Sequence, residues 1–444
     1  NRPVEAFADT VFGDDQDNYS ALEAHVYKAT LENNYSDSLK SRINITYNQF
    51  DKMYQNVYSN EQNEATATTV MLGGYVDKTQ RDNLIISADL IGESDFLGLA
   101  HNLIAGVESI STDNDNTRMK ASFANEFTIA RPITLSGGVG VDSTGTAVNN
   151  DYGVFGDNTS NAVSVLSLYV QDEIELSDKL SAVLGLRIDD IDQNSVKYSD
   201  ENGTTVGTTV VRNDEITTPR MGIVYKLQDN MSLYASYSEA YQLKSGDEQY
   251  ATASDTNLDP NTYENTEVGI KWDLNKNFSL TAAIFETDAV QQENYTLNGE
   301  ALVRDVKGEI SGFELQLQGK LSDNWFVSAG YSNLEGEDDS GDSLREIPDE
   351  SISVWNKYLL SDALSVGLGL THQGDTLIST GGTAYLPAYT RIDAAVYYKL
   401  SDDMSLQLNI ENVTDELYFP SSHKTSQATV GAPLSARLAL TGRF

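Results

Sequence analysis

The sequence predicts an all-β chain that crosses a membrane as an antiparallel β-barrel, and three observations carry that prediction. Apolar and polar residues alternate along most of the chain. A tight-turn motif recurs between the alternating segments, and long polar connections join their other ends. The alternation is clearest at the end of the chain, where Leu434, Ala436, Leu438, Leu440, Gly442 and Phe444 interleave with Ser435, Arg437, Ala439, Thr441 and Arg443. A period of two belongs to a strand with one face in an apolar medium and one in water.

Composition permits this reading and removes others. The chain has 444 residues, no Cys, 29 Lys and Arg against 67 Asp and Glu, and a formal net charge of −38. No stretch reaches the ~18 consecutive apolar residues of a membrane-spanning helix. Spanning strands escape hydropathy because lipid-facing and lumen-facing side chains cancel within about ten residues. Without Cys there is no disulfide framework and no thiolate chemistry. The acid excess opposes nucleic acid, whose phosphates need clustered Lys and Arg. Asn1 is neither an initiator Met nor the start of a signal peptide, so an upstream segment is expected to be missing.

Seven segments read as copies of one turn: Tyr35–Leu39, Leu176–Leu180, Leu227–Met231, Leu274–Phe278, Leu321–Trp325, Leu360–Leu364 and Leu400–Met404. Each sets Ser, Asp, Asn or a neighbouring polar residue between two large apolar ones, the chemistry of a tight turn between strands. The repeating unit is a long hairpin: strand, tight turn, strand, longer connection.

The flanking strands follow in order. Leu184, Leu186 and Ile188 oppose Gly185, Arg187 and Asp189; Val268, Ile270 and Trp272 oppose Glu267, Gly269 and Lys271. Phe313, Leu315 and Leu317 oppose Glu314, Gln316 and Gln318; Leu364, Val366, Leu368 and Leu370 oppose Ser365, Gly367, Gly369 and Thr371. Ile392, Ala394, Val396 and Tyr398 oppose Arg391, Asp393, Ala395 and Tyr397; Met404, Leu406, Leu408 and Ile410 oppose Ser405, Gln407, Asn409 and Glu411.

Alternation alone fits a soluble sandwich as well as a barrel. Loop lengths favour the barrel. Segmentation gives about 17 strands, with long connections near 53–79, 112–160, 190–214, 242–261, 292–300, 334–346, 375–386 and 415–431. Short turns on one rim and long loops on the other are the asymmetry of outer-membrane barrels. Trp272, Trp325, Tyr331, Tyr358 and Tyr398 stand near strand ends, where interfacial aromatic girdles belong.

From these residues the chain resembles the TonB-dependent outer-membrane receptors, in particular their ferric-siderophore branch. The matching stretches include Tyr169–Glu173, Leu184–Asp189, Pro219–Gly222, Leu233–Tyr241, Leu258–Pro260 and Glu267–Lys271. They continue through Gly312–Leu315, Ile347–Pro348, Val354–Trp355, Leu386–Asp393, Leu408–Asp415 with Tyr418, and Gly431–Pro433 ahead of Phe444. Their order and spacing over 165–444 carry the resemblance; residues 20–112 fit more loosely. Leu434 departs from the arginine the family often carries after Gly-Ala-Pro.

The resemblance implies a bacterial outer-membrane receptor that imports ferric siderophore with energy from the TonB complex. It implies a 22-stranded barrel, of which residues 1–444 would be one barrel domain with about 17 strands, the N-terminal plug and first strands lying outside it. It makes Phe444 the signal read by the barrel-assembly machinery. Its further partners would be outer-membrane lipids, and the protein is expected to be a monomer with no cofactor beyond the transported chelate. The alternatives are another cargo (haem, cobalamin or an oligosaccharide), an unplugged diffusion porin, and a soluble β-rich adhesin.

No catalytic arrangement is apparent. His25, His101, His372 and His423 are scattered without metal-ligand spacing, and no nucleophile elbow or phosphate loop is present. His101 and His372 fall on the apolar phase near a rim, which reads as interfacial packing. Acidic clusters at 14–17, 113–115 and 335–342 do not match a calcium loop and read as solvated loops, so no metal site is assigned. By analogy with the family, loop aromatics and cations would meet the ligand: Tyr58, Tyr152, Phe155, Tyr241, Tyr250 and Tyr295, with Lys244 and Arg304. Aromatic rings would stack on a planar chelating ring and a cation would offset an anionic iron complex. The net charge of −38 repels such a ligand at long range, so local basic groups must act.

Overall fold

The computed structural model describes residues 18–62, 69–121, 127–128, 134–136, 139–141, 147–149, 152–244, 258–297, 300–425 and 427–443, together with 2, 3, 5 and 8. Seventeen long strands dominate it. They are β1 (Tyr19–Ser36), β2 (Leu39–Gln62), β3 (Thr69–Phe96), β4 (Leu99–Ala121), β5 (Val154–Ser177) and β6 (Leu180–Tyr198). Next come β7 (Val206–Gln228), β8 (Met231–Gln242), β9 (Asn261–Asn275), β10 (Phe278–Leu297), β11 (Glu300–Ser322) and β12 (Trp325–Asp338). The last are β13 (Glu350–Leu359), β14 (Leu364–Gln373), β15 (Tyr389–Lys399), β16 (Met404–Glu411) and β17 (Ser435–Gly442). Each pairs antiparallel with its neighbours in the chain, so the sheet is one continuous meander. Among the described residues β1 and β17 are each paired on one side only.

All seven predicted turns are present. An eighth, Leu97-Gly98 between β3 and β4, escapes the pattern because Phe96-Leu97-Gly98-Leu99 carries no Ser, Asp or Asn. Both central residues have positive φ, 55° and 81°, the backbone demanded by a two-residue type I′ hairpin. Gly98 takes this conformation freely.

Burial is inverted relative to a soluble protein. Along β6, Leu184 and Leu186 are 52% and 42% exposed, while Asp189 and Gln193 on the opposite phase are 0% and 1%. In water, aliphatic residues are buried and charged ones exposed. Here one face offers hydrocarbon to the surroundings and the other encloses polar groups, the arrangement a bilayer demands. The same phase shows exposed Val268, Phe313, Leu368, Leu438 and Leu440, as the alternation predicts. Trp325 and Tyr358, 41% and 44% exposed, pair directly beside the short turns, and Tyr398 stands at the same rim.

Several predicted loops are strand. β2 and β3 pair from Leu39↔Gly92 to Gln62↔Val70 with one register shift between Ser59 and Glu61, so most of 53–79 is hairpin strand, 63–68 lying outside the described residues. The 190–214 segment lies largely in β6 and β7, and 292–300 is the tip of the β10–β11 hairpin. A strand needs about 9–11 residues to cross a bilayer; β3 has 28 and β2 has 24. At about 3.3 Å per residue, these walls project well beyond the hydrocarbon on the long-loop side. Above the lipid the outward phase turns acidic: Ile188 gives way to Asp190 and Asp192, and Ile284 to Glu286 and Asp288.

Candidate functional site

The projecting walls of β2, β3 and β4 carry a cluster of aromatic and basic side chains on the lumenal phase. Register places Tyr54 opposite Asp77 and Asp77 opposite Arg118; one step further out, Asn56, Tyr75 and Lys120 align, then Tyr58 and Gly73. Tyr54 and Tyr75 meet edge to face with centroids 5.4 Å apart, and Tyr58 meets Tyr75 at 5.7 Å. Such aromatic pairs contribute roughly 0.5–1.5 kcal/mol beyond their burial. Tyr58 can lie flat along the wall because position 73 is glycine; a Cβ there would stand 2.8 Å from its ring.

Arg118 is fixed by Asp77, which is 2% exposed: the guanidinium Nε donates to Oδ2 at 2.5 Å, and Asn116 donates to Oδ1 at 2.6 Å. That orientation sets the Arg118 guanidinium 5.0 Å from the Tyr75 ring centroid and within 3.5 Å of the Tyr54 hydroxyl. Lys52 Nζ lies 4.9 Å from the Tyr54 ring. Chemically, the corner offers aromatic faces, phenolic donors and a guanidinium, that of Arg118, held in place by a buried carboxylate.

Nearer the membrane a second polar layer ties four strands together. Arg187 on β6 donates to Glu108 on β4 at 2.8 Å, to Asp189 at 2.9 Å and to Ser167 on β5 at 2.6 Å, and stacks 5.6 Å over Tyr169. The Tyr169 hydroxyl donates in turn to Asp89 on β3. Asp189 and Ser167 are fully buried, so each group depends on its neighbours for solvation.

On the far side of the sheet, three outer connections pack into one assembly. Ile378, Leu386 and Phe419 form its core, and the Glu346 amide donates to the Leu377 carbonyl at 2.7 Å. The Asn412–Tyr418 segment is a locked turn. Buried Asn412, at φ 53°, donates its side chain to the Glu416 and Ala432 carbonyls and accepts the Glu416 amide, while Asp393 accepts the Asn412 amide at 2.8 Å. Tyr418 stacks 4.6 Å from Tyr389 and accepts from Arg391 at 3.2 Å.

A family model described as TonB dependent receptor-like, beta-barrel matches residues 3–413. The chain belongs to this family of TonB-dependent receptor barrels. It is 30% identical over 308 residues to the probable TonB-dependent siderophore receptor PiuA of Acinetobacter baumannii, covering 64% of this chain and 41% of that protein. The crystal structure of PiuA superposes with a TM-score of 0.83 at 22% identity, covering 100% of this chain and 67% of the other. The ferric-catecholate import receptor Fiu of Escherichia coli K12, closed form, gives 0.80 at 18% identity, covering 97% and 65%. The sequence match thus covers well under half the length of the curated PiuA relative. This receptor barrel is an outer-membrane fold, and its family consists of receptors and transporters.

Within the receptor barrel the predicted ligand residues that lie among the described ones do not converge. Tyr58 joins the tyrosine corner. Tyr152, at φ 47°, immediately precedes β5. A register shift between Arg118 and Met119 sets Phe155 opposite Met119, out of phase with Arg118. Tyr241 is half-buried at the end of β8, its hydroxyl interacting with Asp189. Lys244 anchors strands, donating to Asn261 Oδ1 at 2.6 Å and the Gln292 carbonyl at 2.8 Å. Arg304 pairs with Glu293 at 3.4 Å on β11, and Tyr295 is in β10, opposite Leu302, rather than in a loop. Tyr250 and Phe444 lie outside the described residues. Sequence reasoning missed Lys52, Tyr54, Tyr75, Arg118 and Lys120; the available signal was the period-two spacing of Lys52, Tyr54 and Tyr58, the two tyrosines falling inside a segment read as loop.

The two rim histidines carry polar partners as well as packing: His101 Nδ1 meets Asp172 Oδ2 at 2.7 Å, and His372 Nδ1 meets Thr390 at 2.8 Å. The 335–342 acidic run is the end of β12 and the turn that follows, in which Asp338 Oδ1 accepts the Ser340 and Asp342 amides, both at 2.9 Å. Asp113 and Asp115 are exposed on the outward phase, and residues 14–17 lie outside the described residues. Among the described residues, the carboxylates of Glu286, Asp288 and Glu309 come within 4.8 Å of one another, all exposed.

The 199–205 connection gives a pH-dependent expectation. Asp200 accepts hydrogen bonds from Thr204 and Thr205, which hold its carboxyl at about 2. Because the folded value lies below the ordinary one of about 3.9, the stabilisation is complete above that value and is lost as pH falls through about 2. Amide-exchange protection of Asn202, Thr204 and Thr205 is therefore expected to persist at neutral pH and weaken in strong acid. Asp200→Ala should abolish it throughout; equal protection in the variant would contradict the assignment.

Proposed function

We propose that the complete protein imports ferric siderophore across the outer membrane with energy from the TonB complex. The observation that carries this reading is the lumenal corner of Tyr54, Tyr58, Tyr75 and Arg118 on walls that rise above the bilayer, in a member of the TonB-dependent receptor family. Rings of this kind stack on planar chelating groups, and a cation offsets the charge of an iron complex. The one-sided pairing of β1 and β17 is consistent with further strands closing the barrel to the 22 of plugged outer-membrane transporters. In this reading a plug domain would fill the lumen and contact TonB, outer-membrane lipids would surround the aliphatic belt, and Phe444 would mark the last strand for the assembly machinery. The barrel domain would extend over residues 1–444 and work as a monomer. Its part would be passive: it would supply the conduit and the outer binding walls.

The test is uptake of labelled ferric siderophores by iron-starved cells carrying the complete native gene, with and without a working TonB. TonB-dependent uptake is the expected result. TonB-independent entry of many small solutes would indicate a porin instead.

A further inference from the structure

Above the bilayer the wall forks between β7 and β8. β7 pairs with β6 along its whole length, from Tyr198↔Val206 to Leu180↔Tyr225, but with β8 only from Arg220↔Ser238 down to the turn. Pro219 stands at the fork, a residue without an N–H that sheets accept where a strand is paired on one side. On the β8 side, the backbone of Val206–Val211 and Asn213–Thr218 pairs with no strand among the described residues. Apart from β1, no strand among them keeps so long a one-sided stretch. Free edges are normally blunted by Lys, Pro, bulges or short length. This one holds its register with β6 unbroken from Lys197↔Thr208 to Leu186↔Pro219 and carries no Lys. Thr208–Val211 and Ile216–Thr218 are all β-branched, which favours an extended chain. Its lumenal side is covered, with Arg212 6% exposed and donating to the Leu258 carbonyl at 2.7 Å; its outward side is open, with Val211 60% exposed. On that outward phase of β6–β9, above Ile188, stand Asp190, Asp192, Glu215, Glu239 and Glu264, with no Lys or Arg among the described residues there.

We propose that the outer half of β7 is a docking edge for an extended, cationic peptide segment of another protein, taken up by strand addition. The inference does not use the import reading above. Affinity comes from the backbone, because the edge amides and carbonyls of β7 pair with an added strand as in any antiparallel ladder. Selectivity comes from charge. Lys or Arg on the outward phase of the added strand stands beside Glu215 and faces Glu239 across the fork, and opposite charges on neighbouring strands attract. An acidic strand makes the same backbone bonds against repulsion from those carboxylates. A second copy of this chain fits poorly for that reason, since edge-to-edge pairing of β7 brings Asp190 and Glu215 towards their own like.

The experiment measures binding of a dye-labelled peptide of about twelve alternating Val and Lys residues, long enough to lie along the edge, to the full-length receptor in lipid nanodiscs. Amide exchange is followed residue by residue in the same samples. Two control peptides carry Glu in place of Lys, or N-methyl groups on every second amide. The receptor variant is Glu215→Lys/Glu239→Lys, checked for folding by heat-modified gel mobility. The Val/Lys peptide should bind about tenfold more tightly than either control and about tenfold more weakly to the variant. It should also slow exchange about tenfold at alternate amides between Val206 and Thr218, the half not already bonded to β6. Equal binding of the N-methylated peptide, or binding that leaves β7 exchange unchanged, would reduce the effect to general attraction by an acidic protein and overturn strand addition. A Val/Glu peptide bound as tightly, with the same β7 protection, would overturn the cationic class. Edge amides already protected in the receptor alone, with no peptide bound, would mean that the chain covers its own edge and would remove the docking site. None of these outcomes bears on ferric-siderophore uptake, so the import reading stands or falls separately.

Discussion

Replacing Arg187 with Met should destabilise the barrel by about 3–5 kcal/mol, the usual consequence of stranding a buried charge. Asp189 is fully buried and meets Arg187 at 2.9 Å, and the same guanidinium serves Glu108 and Ser167. Met replaces the volume of the side chain but none of its donors. The loss is measurable by urea unfolding of the protein in lipid vesicles. The companion double variant Arg187→Met/Asp189→Asn should recover a large part of it, because removing both charges removes the uncompensated one. If the single variant unfolds within about 1 kcal/mol of wild type, the upper end of an exposed ion pair, lumenal water solvates Asp189 and the layer is not a cohesive one.

The second large effect belongs to the lipid face. Leu315 pairs with Tyr331 and Ala282 on the phase of exposed Phe313 and Ile284, midway between the aromatic rim at Trp325 and the acidic boundary at Glu309. Leu315→Arg should therefore cost about 2–4 kcal/mol, the range for a cation near the bilayer midplane. Gln316→Arg, one residue along and on the lumenal phase, should be far milder. Comparable losses from the two would mean that the faces have been assigned the wrong way round.

What was legible in the sequence follows the bilayer. Within the hydrocarbon each strand must be aliphatic on one face and polar on the other, so period two is sharp, as at Leu184–Asp189 and Phe313–Gln318. The turns were legible because Ser, Asp and Asn close them by local hydrogen bonds, and the Leu97-Gly98 turn was not because it relies on backbone conformation alone. Above the lipid both faces of a strand meet water or polar neighbours. The outward partners of Lys52, Tyr54 and Tyr58 are Met53, Gln55 and Val57, a mixture with no consistent polarity, and the alternation dissolves while the strand continues. That is why 53–79 and 112–160 read as loops, and why the tyrosine corner, built from both, was invisible apart from Tyr58. The resemblance motif at Leu408–Asp415 has its physical reason in the hydrogen-bonded lock around Asn412.

The neighbour-only pairing of the strands bears on how such a chain can change over evolutionary time. Since the backbone of each long strand pairs only with those beside it in sequence, excising or duplicating a whole hairpin leaves every other register intact and alters the girth of the barrel in fixed steps. A single strand cannot be gained or lost in the same way. It would send every later connection to the opposite side of the membrane, exchanging the rim of tight turns with the rim of long walls. Pore width in this lineage is therefore counted in pairs of strands.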